Sequence, residues 1–459
     1  MAIWNTIRLS EIHPDRCDAE YFRKDYQDNI GNLQNSGETS SLGKLFKYIN
    51  RGSQPFYDKS GTYKALRSVN VGFMNFNETR QEYVTESFFK SNNRGKVQKD
   101  DILITSTGVG TLGRTSIWFK DEKAYCDGHI TILRNGVIDP YCMTAFLNSK
   151  YGITQFNQNY RGSSGQIEIY PYDLSKFIIP KCILPFQTEI GDKLRAAFEL
   201  QRQSQTLYKK ATELLEQVLG LDKIDYNKKN YYKTLNTTCV LERIIDPKFH
   251  NPKFDQIVTF LKHNFNTIEL RKIADIEYGY MPMQDYELDK SKGIPLIRVT
   301  NITQELEIKM DDLKYIPNWV KVPPKKYVEK GDILMVQCGD TTGKVGYIYE
   351  DVKNHLFPSF CFSLKVIDKR INSLFLAALL KSKLMQILFD QTVMINTVRP
   401  NTTKPRFEKL TIPIFDEDFQ LKISTMLIES NIAKKQSLEL LAKAKNRVEQ
   451  LIEEAINKN

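Results

Sequence analysis

With 459 residues, 41% of them hydrophobic and 11% aromatic, the chain is long enough for two or three domains with real cores and too apolar to be disordered. A formal charge of +10 favours an anionic partner, with nucleic acid ahead of a membrane surface. Seven scattered cysteines without a Cys-x-x-Cys, no apolar leader at the start and no run near 18 apolar residues argue against a disulfide frame, secretion and membrane insertion; together they predict a cytoplasmic protein.

Residues 1–182 predict a first mixed domain. Its β-rich runs are DILITS from Asp101, RTSIWF from Arg114 and HITILR from His129, and PYCMTAFLNSKYGITQF from Pro140 forms one helical run. Gly108–Thr115, GVGTLGRT, fits a phosphate-binding glycine pattern, but such loops open a helix and this one runs on into a strand. A glycine-rich hairpin turn is the better reading.

From 183 to 221 the pattern changes to one long helix. Ile190, Leu194, Ala197, Gln201, Ser204, Tyr208, Ala211, Leu215 and Val218 recur at steps of four and three, a heptad seam. Pro185 suits the first helical position, and Gly220 before Leu221 is a left-handed stop. Residues 222–238, polar and rich in Lys and Tyr, form a connector.

The remainder repeats the order. Gly52-Ser53-Gln54-Pro55 returns as Gly279-Tyr280-Met281-Pro282, Arg67-x-x-Asn70 as Arg298-x-x-Asn301, and Asp101-Ile102-Leu103 as Asp332-Ile333-Leu334. Gly113-Arg114 returns as Gly343-Lys344 and Ile179-Pro180 as Ile412-Pro413, with offsets between 227 and 233. Residues 239–414 are thus a second copy of the domain, and 415–459 a second long helix with its seam at Ile423, Leu427, Ser430, Lys434, Ser437, Leu441, Ala444, Val448 and Leu451. Both seams are apolar at the ends and polar in the middle, so they complement each other antiparallel, with Ser204 and Ser437 near the crossing. The fold class is α/β (α+β): two similar globular domains separated by two long helices in an antiparallel coiled coil, with pseudo-two-fold internal duplication.

No catalytic centre or metal site emerges. The five histidines have no ligand spacing, Gly162-Ser163-Ser164-Gly165 is one residue short of a nucleophile elbow, and Pro14-Asp15 lacks a nuclease partner. Asn251-Pro252-Lys253-Phe254 resembles the tetrapeptide that grips a target amine in amino-methyltransferases, but it lacks the second proline, and no glycine-rich cofactor motif accompanies it.

A basic, duplicated chain with two domains on a rod suits DNA. The seam from Ile190 to Val218 spans roughly 43 Å at about 1.5 Å per residue, against a duplex repeat of about 34–36 Å. Two contact patches would flank bases left unread. Arg pairs with guanine, and Asn or Gln with adenine, which makes Arg67, Asn70, Arg161, Gln166, Arg298, Asn301, Arg399 and Asn401 candidate readers. Arg114 and Lys344, after the glycine turns, are candidate phosphate holders.

In this order, taken twice, the Gly-x-x-Pro turns, the Arg-x-x-Asn segments, the Asp-Ile-Leu runs and the Ile-Pro exits into Phe-Gln and a heptad helix resemble the DNA-specificity subunit of Type I restriction–modification systems. The resemblance covers essentially the whole chain; Asp100, where the second copy has Gly331, departs from the pattern. It implies two target recognition domains, each reading half of a bipartite, asymmetric site in double-stranded DNA. The paired helices would set the spacing and dock two methyltransferase subunits. It also implies that those partners, not this chain, bind S-adenosylmethionine and flip adenine, and that restriction/translocase subunits use ATP and Mg. The competing reading is a non-enzymatic protein-binding scaffold with incidental basicity.

Overall fold

In the computed structural model, which describes residues 6–8, 12, 16–78, 80–162, 165–224, 248–394 and 399–458, the chain divides into two compact units. One takes residues 1–202 and 433–459, the other 203–432. Most of the connector expected at 222–238 lies outside the described residues, as do Ser163, Ser164 and Cys239.

In the first unit, the larger sheet runs Phe46–Arg51, Ile130–Gly136, Ile102–Thr105, Thr115–Ile117, antiparallel throughout. The smaller runs Glu82–Val84, Tyr63–Leu66, Ala124–Cys126, Lys96–Val97, with one parallel pairing between Tyr63–Leu66 and Ala124–Cys126. A two-stranded ribbon, Thr39–Ser41 with Ile178–Pro180, completes it. The second unit reproduces all three: Ala274–Tyr278, Cys361–Val366, Ile333–Val336, Val345–Tyr347; then Lys314–Pro317, Gly293–Leu296, His355–Leu356, Tyr327–Val328; and the ribbon Asn266–Glu269 with Thr411–Ile414. The duplication is therefore matched strand by strand.

The strand of each Asp-Ile-Leu run is buried on both faces, which is why it is a continuous apolar run rather than an alternating one. Ile102 and Ile104 join the core under the helices, while Leu103 joins the core toward the smaller sheet. Ile333 and Met335 divide from Leu334 and Val336 in the same way. Asp101, at the head of the first run, is almost fully buried and holds Arg134 through bonds of 2.7 Å from Nε and 2.6 Å from Nη2.

The expected single helical run is two helices in each unit. Pro140–Leu147 and Lys150–Asn159 are divided where the Ser149 hydroxyl accepts from the Gly152 N–H, while the Asn148 amide donates to the Thr115 carbonyl. Ser382 caps the second helix of the pair Ser373–Lys381 and Lys383–Thr392. A serine able to cap breaks a run that apolar periodicity alone would carry through.

The central helix spans Gln187–Leu219 and the C-terminal helix Glu417–Ile456. Pro185 falls in a preceding 3-10 turn, Lys181–Phe186, so the helix starts two residues later than its pattern suggests. Gly220 does adopt the left-handed conformation, φ 64°. In the first unit Ile190, Leu194 and Ala197 share a core with Leu441, Ala444, Val448 and Leu451. In the second, Ala211 and Leu215 share one with Ile423 and Leu427. The numbers run in opposite directions, so the helix halves within each unit pack antiparallel. Ser437 donates to the Ala197 carbonyl at 2.7 Å in the first unit, and Ser430 to the Ser204 carbonyl at 2.8 Å in the second. Ser204 and Ser437, expected near the crossing, each take part in a seam hydrogen bond within their own unit. Val218 is also corrected: it is 39% exposed, and Leu219 is buried in its place. From Ala211 the buried positions advance by four (Ala211, Leu215, Leu219), the step of a straight helix lying on a domain core that includes Ile257 and Leu261.

Candidate nucleic-acid interface

The glycine turn between Ile102–Thr105 and Thr115–Ile117 is a hairpin, as its sequence requires. Gly113 has φ 83°, and a Cβ there would meet the Phe156 ring at 3.0 Å. Gly343, with φ 94°, is crowded in the same way by Gln386 and Phe389. A side chain at either position would push the turn off the helix beneath it.

Each turn is held by the loop that follows the helices. The Gly108 N–H donates to the Ile167 carbonyl at 2.9 Å, and the Gly339 N–H to the Pro400 carbonyl at 2.9 Å. Isolated bridges Thr107–Glu168 and Cys338–Asn401 extend the contact. These pairings fix which positions correspond: Gln166 matches Arg399, Glu168 matches Asn401, and Arg161 matches Met394, which bridges Asn401 as Arg161 bridges Glu168. Gln166 with Arg114, and Arg399 with Lys344, are therefore brought to one loop cluster in each unit.

In the second unit that cluster surrounds an open cleft of about 500 Å³ lined by Thr300, Cys338, Asp340, Lys344, Phe360 and Arg399, among others. Burial in the cleft lowers the pKa of the Lys344 ammonium, and among the described residues no carboxylate forms an ion pair with it. Phe360 is 43% exposed, an aromatic surface that a polar duplicate loop gave no reason to expect. In the first unit the positions matched to Thr300 and Asp340 are Val69 and Val109, 46% and 64% exposed. Sequence reasoning passed over Val69, Val109, Asp340 and Phe360 because only the matched turns bring them together.

Two expected readers are corrected. Asn70 and Asn301 are buried, and their amides are spent inside the Arg-x-x-Asn turn. The Asn70 carbonyl oxygen accepts from the Arg67 N–H at 2.9 Å, and its amide donates to the Asn77 carbonyl. Asn301 does the same with the Arg298 N–H at 2.8 Å and the Asp312 carbonyl. The motif recurs because it closes a turn, and neither amide is left to meet a base edge. The guanidinium groups are engaged too: Arg67 donates to the Arg80 carbonyl and Arg298 to the backbone and carboxylate of Asp312. Arg161 pairs with buried Asp173 at 2.8 Å, Arg114 donates to the Gly110 carbonyl, and the Asn401 amide bonds the Arg399 carbonyl at 3.4 Å. Gln166 and Arg399 are exposed.

Among the described residues no group of His, Cys, Asp and Glu could hold a metal ion, and no helix is long and apolar enough to cross a membrane. Residues 262–449, most of the second copy and of its helix, match the family model of the Type I restriction modification DNA specificity domain. Residues 262–449 thus carry the sequence of a Type I restriction modification DNA specificity domain. The first copy lies outside the match but carries the same three sheets in the same order. No curated relative matches the sequence. Among solved structures the chain is similar to the S subunit of a Type I system from M. genitalium, at 13% identity over 91% of this chain and 95% of that one, with a TM-score of 0.47. It is similar also to the HsdS subunit from Thermoanaerobacter tengcongensis, at 14% identity over 91% and 96%, with a TM-score of 0.29. A third, from work on complex assembly and conformational transition of the type I R-M system, shows 12% identity over 91% and 97%, with a TM-score of 0.31.

Proposed function

We propose that this chain is the non-catalytic DNA-recognition subunit of a Type I restriction–modification complex, each unit reading one half of a bipartite, asymmetric site in double-stranded DNA. The observation that carries the reading is the loop cluster of each unit, built at matched positions from the same turns but with different side chains at its tips: Gln166 in one, Arg399 in the other. Same scaffold with different readers is what two unlike half-sites require. Arg114 and Lys344 are assigned to backbone phosphates, which position a duplex without reading it.

The helix pair sets the separation of the half-sites and docks two methyltransferase subunits. Leu421, Ile428 and Ile432 support this second role: they are 58%, 46% and 49% exposed and recur at steps of seven and four along one face of the C-terminal helix. S-adenosylmethionine belongs to those partners, and ATP with Mg to restriction/translocase subunits. Duplex binding by the chain with its methyltransferase should weaken steeply with salt, log K falling by about 0.9 per phosphate neutralised for each unit of log salt. Binding flat in salt would replace this reading with a protein-binding scaffold.

A further inference from the structure

The recognition reading leaves open what kind of base pair each unit selects, and the matched positions bear on it. Three pairs of residues occupy equivalent places in the two clusters: Gln166 and Arg399 before the bridging residue, Val109 and Asp340 in the glycine turn, and Val69 and Thr300 in the Arg-x-x-Asn turn. All six are exposed. The hydrogen bonds that close the turns run through backbone groups and through the side chains of Asn70, Asn301, Thr111, Arg114 and Thr342.

The chemistry of the two sets differs in kind. Arg399 carries a forked donor that matches the two major-groove acceptors of guanine, O6 and N7, and Asp340, across the same cleft, is an acceptor for the amino group of cytosine. Glutamine, with one donor and one acceptor, matches the N7 and N6 edge of adenine, and exposed valine methyls match the C5-methyl of thymine. Donor with acceptor therefore stand on one cluster, and amide with methyls on the other. Each set is complementary to both members of a single base-pair type.

We infer that the two half-sites differ in base-pair type: the first unit selects an A·T pair through Gln166, Val69 and Val109, and the second a G·C pair through Arg399 and Asp340. The inference rests on the recognition reading above and adds the identity of the pair.

Base analogues test it group by group, using the full chain with its methyltransferase and a duplex bearing the sequence that this complex modifies. Arg399→Ala marks the second half-site as the one whose base preference it relaxes, and Gln166→Ala marks the first. In the second half-site, 7-deazaguanine, which lacks N7, should weaken binding about 5- to 150-fold, the range of one bidentate base contact. The same substitution should cost the Arg399→Ala variant nothing further. In the first half-site, uracil in place of thymine should weaken binding several-fold, and the loss should vanish in a Val69→Ala, Val109→Ala double variant. Half-sites without a required G·C and a required A·T in these places, or analogues that leave binding unchanged, overturn the assignment while salt-dependent duplex binding persists. Loss of that salt dependence would instead remove the recognition reading.

Discussion

Replacing Leu427 with Ala should cost the second unit about 2–5 kcal/mol, the range for emptying a packed leucine site. Leu427 is 1% exposed and belongs to the core that also holds Ile423, Leu215 and the helices over the sheet. The C-terminal helix is thus a wall of that core, not a separate rod leaning on it. Leu194→Ala should do the same to the first unit, where Leu194 is fully buried beside Val448 and Leu451. Aspartate at either position should cost more, since it adds an unpaired buried charge to the lost packing. Leu421→Ala, on the exposed face, should stay within about 0.5 kcal/mol. Urea midpoints measure all of these, and a Leu427→Ala midpoint equal to that of Leu421→Ala would show that the helix is not part of the unit.

Arg134→Ala should be about as damaging, about 3–5 kcal/mol, because it strips the partner from a buried carboxylate. Asp101 is 1% exposed, and burial holds its pKa above the ordinary carboxylate value even with Arg134 lowering it. Removing Arg134 takes that lowering away and raises the folded-state pKa further. A group whose pKa is higher folded than unfolded loses stability as pH rises, so the deficit should be largest at neutral pH and shrink as pH falls through the carboxylate range. The second copy supplies the control. Lys365, at the matched position, bonds exposed Glu329 instead of Asp332, so Lys365→Ala should cost no more than about 1 kcal/mol. Melts of both variants at two pH values decide it; an Arg134→Ala deficit that does not change with pH would mean that the loss is packing alone.

The halves of this chain were legible because a duplication tests itself: every weak motif occurs twice in one order, and the strands and turns it predicts are matched in the coordinates. The helix seams were legible for a related reason, since heptad spacing holds over eight positions of the central helix, from Ile190 to Leu215, and over nine of the C-terminal one. The failures share a cause. Val218 was assigned to the seam by extending a period of 3.5 into a stretch where the helix follows a domain core, and Leu219 fills the place. For Asn70 and Asn301, an amide that closes a turn and an amide that meets adenine are the same residue in a sequence; burial separates them. Ser149 and Ser382 hid a helix break inside apolar runs. The partition into units, each borrowing half of both long helices, depends on contacts across more than 200 residues, and no local pattern carries it.

The central claim is that two units built on one plan read two separated and unlike stretches of one duplex. Sequencing the modified bases in DNA from cells that express this chain with its methyltransferase tests it most directly. The account predicts an asymmetric motif in two parts divided by a spacer of fixed length and indifferent sequence. A single continuous motif, or two identical halves, would contradict it.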